Sequence, residues 1–292
     1  MKKQMLCMCT VLIALCTMWT GCEQEDPVVI PYGKSVGVFS VGEDDQVTFS
    51  PGNLQYNPRK NEWRFAEHQY DYIGEENIKV SPNYAGWIDL FGWGTGDNPT
   101  KTDYESEEYS SFVDWGKNTI GTDVPKTWRT LYKSEWEHIL FHRKHAKKLY
   151  AAGMVNGVGG LIILPDGFSK PSGISWKARA TDFATNNYTK YEWEIMQQLG
   201  AVFLPAAGQR DFGYSKIVRY RDSDEYVAEG YYWSSEGEQT TTGVMVFTNS
   251  FGIEFRVCHG SGIGSEFIEC RRLGREEGCS VRLVQTISAT AK

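Results

Sequence analysis

Two short segments, Ser134-Glu135-Trp136-Glu137 and Thr189-Lys190-Tyr191-Glu192, constrain the fold of this chain more than any other feature. In each, a hydroxyl residue stands three positions before a glutamate, the spacing at which the two side chains satisfy each other's backbone donors at a helix start. The first predicts a helix from 134 to about 152, stopped at Gly153. The second predicts a helix ending near Leu199, with Gly200 free to take the left-handed cap conformation. After each comes a compact apolar strand, LIILP at 161–165 and AVFLP at 201–205, closed by a proline that cannot continue a ladder.

On both sides of this region the pattern is strand and turn. VGVFSV (36–41), QVTFS (46–50), NLQY (53–56) and EWRFA (62–66) lead in, with Asn57 to Asn61 as a hairpin turn that puts Leu54 and Tyr56 on one face. VMVFT (244–248), GIEFRV (252–257), EFIEC (266–270) and SVRLV (280–284) lead out. Residues 94–127 are rich in Gly, Asp, Asn, Thr, Ser and Glu without periodicity and read as a long surface excursion, its acidic run Asp103 to Glu108 solvated. Strands, two helices and strands again predict an α+β fold with neighbouring chain ends.

The N-terminus reads as an export signal. Lys2 and Lys3 precede an apolar run from Met5 to about Trp19, then Thr20, Gly21 and Cys22. The run is shorter than the roughly 20 residues a membrane-spanning helix requires. The small residues before Cys22 look like a lipobox, so residues 1–21 are expected to be cleaved and Cys22 to carry the lipid. Two or more acyl chains would hold the protein on a membrane. Residues 22–34 form a tether, in which Glu23, Gln24, Glu25 and Asp26 are similar to the surface-export tag of Bacteroides-type lipoproteins. An outer-membrane location, on the cell surface or facing the periplasm, follows from that reading. About 270 residues then remain, enough for one large domain, placed at 35–285 with a disordered tail at 286–292.

Loss of Lys2 and Lys3 takes the formal charge from -7 to about -9, which argues against nucleic acid as a partner. Cys258, Cys270 and Cys279 are left in the mature chain, so no disulfide framework is expected.

His138, His142 and His145 fall at i, i+4 and i+7 of the first helix and make the sharpest metal candidate. HExxH is absent, however, and Arg143, Lys144, Lys147 and Lys148 crowd the histidines with positive charge, so no metal site is expected. Glu135 with Glu137, and Glu192 with Glu194, do not face each other on a helix and are read as cap and first-turn charges. Gly260-Ser261-Gly262-Ile263-Gly264 lacks phosphate-loop spacing. WRFA, GWIDLFGWG and YYWSS are read as core and turn aromatics. No catalytic residue and no cofactor emerge.

FSPGNLQY (49–56), WRFAEHQYDYIG (63–74), GWIDLFGWGTG (86–96), WRTLYKSEWEHIL (128–140), GLIILPDGF (160–168), VFLPAAGQR (202–210), YYWSS (231–235) and SVRLV (280–284) resemble a large set of paralogous Bacteroides-type lipoproteins. They are similar to the Fibrobacter-type major paralogous domain over about residues 36–284. WRTLYKSEWE also resembles the helix-start segment of formylglycine-generating enzymes, which implies a C-type-lectin-like fold with two helices against a small twisted, mostly antiparallel sheet. Those enzymes hold copper on a closely spaced cysteine pair, whereas Cys270 and Cys279 are nine apart. Relatives of this branch that bind receptors diversify their last strands, which the resemblance maps to Phe251–Cys279.

The expected function is therefore a non-enzymatic, surface-anchored binding or adhesion lipoprotein with an unknown protein or glycan ligand. Phe255, His259, Phe267, Arg271, Arg272 and Arg275 are the candidate contacts, because aromatics and arginine dominate binding energy at interfaces. The alternatives are a formylglycine-generating-like oxidase and a structural subunit of a surface assembly.

Overall fold

A computed structural model describes residues 37–211, 217–218, 227–242, 245–258 and 267–287. The signal, Cys22 and its tether, His259 and the 260–264 glycine run lie outside the described residues, as do the side chain of Cys258 and the chain beyond 287.

In chain order the strands are β1 (Phe39–Ser40), β2 (Gln46–Phe49), β3 (Leu54–Asn57) and β4 (Glu62–Phe65). Helix α1 (Lys133–Glu137) follows, then β5 (Tyr150–Val155), β6 (Val158–Ile163) and β7 (Asn187–Tyr188). Helix α2 (Lys190–Gln198) leads to β8 (Val202–Pro205), β9 (Gln209–Arg210) and β10 (Ile217–Val218). The chain closes with β11 (Val227–Thr242), β12 (Met245–Cys258), β13 (Ile268–Gly274) and β14 (Val284–Ile287). The class is α+β, mostly antiparallel with few helices: β7-β5-β6-β8, β1-β2-β14 and β11-β12-β13 are the larger sheets. Only β5 with β7 pairs in parallel among the described strands.

The runs LIIL and VFL are apolar at every position because both faces of their sheet are covered. Leu161, Ile163, Val202 and Leu204 face a core shared with Phe49, Trp136 of α1, Tyr232 and Phe255. Ile162, Leu164 and Phe203 face a second core with Trp193 and Met196 of α2. A third gathers Leu54, Trp63, Phe91, Trp115, Trp233 and Val281, so most rings of the aromatic phrases are core, while Phe65 and Trp87 are half-buried. Val284 pairs with Phe49 across β14 and β2, which puts the last strand in one sheet with the opening pair β1-β2. β14 runs to Ile287, two residues past the expected domain end.

Helix α2 forms as its sequence dictates. Thr189 Oγ1 accepts from Glu192 N at 3.3 Å, Glu192 Oε2 accepts from Thr189 N at 2.8 Å, and Gly200 turns left-handed at φ 90°. The first helix does not run to 152. Its cap is Tyr132, whose N–H donates to Glu135 Oε2 at 2.7 Å, because Arg129 holds that carboxylate in a two-pronged grip at 2.7 and 2.6 Å.

After Glu137 the helix widens to a π turn over His138–His142 and stops at Arg143. The Arg143 side chain turns inward: Nε donates to Ile139 O at 2.6 Å and Nη2 to Leu164 O at 2.8 Å. Strand β5 therefore occupies 150–155, and Asn156-Gly157, at φ 49° and 82°, forms the tight turn into β6. The surface excursion is also corrected. Tyr109, Trp115 and Ile120 are buried and anchor 94–127 to the core, while Asp103, Glu105, Glu107 and Glu108 stay exposed.

Candidate functional site

Sheet β11-β12-β13 carries the segment expected to supply recognition. Residues paired across an antiparallel ladder share a face. One face therefore holds Glu229 with Arg256, Tyr231 with Glu254 and Glu269, and Trp233 with Gly252 and Arg271. The opposite face holds Gly230 with Phe255 and Ile268, Tyr232 with Ile253 and Cys270, and Phe251 with Arg272.

Burial overturns three of the expected contacts. Phe255 is fully buried, lies against Gly230 and stacks on Tyr232 with ring centroids 6.0 Å apart. Phe267 is buried against Tyr150 at 5.9 Å. Both belong to the first core. For Phe255 the alternation of Ile253, Glu254, Phe255 and Arg256 carries that signal, whereas Phe267 precedes β13 and no alternation marks it. Arg275 is buried as well and serves as an internal pin. Its guanidinium donates to Tyr109 O at 2.9 Å, Glu238 O at 3.1 Å and Ser250 Oγ at 3.1 Å, and lies 4.3 Å from the Trp93 ring centre.

Arg271 and Arg272 do reach the surface, and Arg256, absent from the sequence-based set, joins them: their side chains are 43%, 63% and 48% exposed. Adjacent in sequence, Arg271 and Arg272 point to opposite faces. Arg272 pairs with Glu238, whereas Arg271 and Arg256 converge on Glu254. Arg256 Nη2 is 2.7 Å from Glu254, its Nε is 2.9 Å from Glu229, and the Tyr231 hydroxyl donates to Glu229 at 2.7 Å.

Glu229 and Glu254 are buried, a placement that costs several kcal/mol per ion unless the charge is matched. The two guanidiniums supply the match. Partial burial works to lower the Arg256 pKa, but Glu254 and Glu229 more than offset this and raise it. Burial, followed by the hydrogen bond to Glu229, raises the Tyr231 phenol pKa and keeps it a proton donor. The result is a charged lattice on three strands with arginine planes fixed at its surface.

The histidines do not share one helical face: the chain leaves the helix before His145, whose φ of 62° is left-handed. Among the described residues no group of three or more His, Cys, Asp or Glu is arranged to hold a metal ion. Cys270 packs against the first core and Cys279 lies inside the Trp233 core. Burial pushes the Cys270 thiol up to about 12 and Cys279 well above its usual range, so both stay protonated. No helix of the described residues is long and apolar enough to cross a membrane. No family model, curated protein or solved structure matches the chain.

Proposed function

We propose that the chain is a surface-anchored, non-enzymatic ligand-binding or adhesion lipoprotein, held at the outer membrane by lipid on Cys22, with a C-type-lectin-like fold. The observation that carries this reading is the pair of buried carboxylates, Glu229 and Glu254, that fix the exposed Arg256 and Arg271 guanidiniums. Arginine's planar fork suits carboxylate, sulfate and aromatic recognition, and fixing it beforehand lowers the entropy lost on binding. Arg256 and Arg271 supply the contacts on one face, and Arg272 stands on the opposite face.

If Phe251–Cys279 is a diversified segment, variation belongs at outward positions such as 256, 269, 271 and 272. Ile253, Phe255, Phe267 and Leu273 are core and cannot vary freely. The oxidase alternative fits poorly, since two protonated thiols in different cores make a weak copper pair. Copper titration of the purified protein distinguishes the two: tight, thiol-dependent binding supports the oxidase. A glycan and cell-surface protein array probed with residues 23–292 tests the binding reading. A reproducible hit is expected, and silence across the array counts against it.

A further inference from the structure

A cleft of about 600 Å3 lies away from the arginine face, between β1–β2, the turn after α1 and the loop that follows β6. We propose that this cleft binds an anionic sugar, a pyranose unit carrying a carboxylate or sulfate. The proposal stands apart from the function assigned to sheet β11-β12-β13.

Its lining combines the two chemistries such a ligand needs. Lys144, Lys148 and Lys170 supply positive charge, and the half-buried rings of Trp176 and Phe168 supply apolar surface. Lys144 and Lys148 are exposed, and among the described residues neither has an ion pair. The carboxylate at the cleft, Asp166, is already committed. Its Oδ1 is 3.1 Å from the buried Arg143 guanidinium, and its Oδ2 accepts from Ser40 N at 2.6 Å and Ser40 Oγ at 2.5 Å. Arg143 and Asp166 cancel, so the lysines leave the cleft positive in a chain of formal charge -7.

The cleft is also held in shape. His145 sits at φ 62°, a conformation uncommon outside glycine, and carries the chain from Lys144 into the 3-10 turn Ala146–Lys148. Trp176 Nε1 donates to Lys148 O at 3.1 Å, which fixes the ring on the wall beside the lysine. Its volume falls within the range of small-ligand sites. A point anion such as phosphate would use the lysines and leave the rings idle. A sugar acid uses both, because aromatic faces stack on the apolar side of a pyranose while ammonium groups pair with its acid.

Titration calorimetry on the full chain in detergent micelles tests this, with tetragalacturonate and a heparin tetrasaccharide as probes. The fully methyl-esterified tetragalacturonide and inorganic phosphate serve as controls. At least one acidic oligosaccharide should bind, weakening about fivefold or more as salt is raised through the screening range. Lys144→Ala with Lys148→Ala should weaken it by about tenfold, since both charges are lost at one site. Phe168→Ala should weaken it further, and Lys60→Ala, at an exposed lysine outside both sites, should leave it unchanged. Circular dichroism confirms that each variant is folded. Failure of both oligosaccharides at millimolar concentration overturns the proposal, as does equal binding of the ester or of phosphate, indifference to the lysine pair, or an equal loss in the Lys60 variant.

Discussion

Arg143, Arg275 and Arg282 are buried and tie backbone carbonyls together, whereas Arg256, Arg271 and Arg272 hold the surface. Burial pushes both Arg143 and Arg282 down to about 10, still charged at neutral pH. Nothing local in the sequence separates these two uses of arginine. The burial of Arg275 does not show in its own neighbourhood, because the groups that bury it, Tyr109 and Trp93, are distant in sequence.

Glu277 shows the cost of an unmatched charge. One carboxylate oxygen is buried without a hydrogen-bond partner among the described residues. Burial, then the neighbouring Glu276, pushes its pKa from 4.5 up to about 7. A folded pKa above the unfolded one means that the contribution of this group to stability is complete below pH 4.5 and is lost as pH rises through about 7. Glu277→Gln should therefore stabilise the protein at pH 8, by about 1–3 kcal/mol. The gain should shrink towards nothing at low pH, as read from denaturant unfolding at both values.

At the scale of elements, legibility follows the range of the interactions involved. Helix α2 was readable because its cap, its length and its glycine stop are all local. The end of α1 was not, because a side chain reaching from Arg143 to Leu164 decides it. The Asn156-Gly157 turn is a local signal that lies just past the predicted helix stop at Gly153. Gly157 has φ 82° and open space where a Cβ would stand, so Gly157→Ala should cost about 1 kcal/mol through backbone conformation alone. A thermal melt showing no loss would mean that this hairpin does not fix the turn. The 94–127 segment misled for the opposite reason: its polar composition hides Tyr109, Trp115 and Ile120, which anchor it.

For the whole molecule, the α+β class and the neighbouring terminal strands follow from the strand–helix–strand order, and the structure has both. Which arginines stand fixed on one face of sheet β11-β12-β13 is not legible in the sequence, because that depends on the register of three strands and on carboxylates brought to them by pairing. The anchor makes its own prediction: in cells given a palmitate analogue, the wild-type chain should be labelled and Cys22→Ala should not. Recovery of the unlabelled, full-length chain in the soluble cell interior would contradict the anchored reading.

Whether the fixed guanidiniums on β12 and β13 grip a ligand is decided by the affinity of the strongest array ligand for wild type and for Arg256→Lys with Arg271→Lys. The lysines keep the charges that match Glu229 and Glu254 but lose the planar fork. Binding should weaken by about tenfold with the fold intact, a loss of about 1.4 kcal/mol; undiminished affinity in that variant would contradict the account.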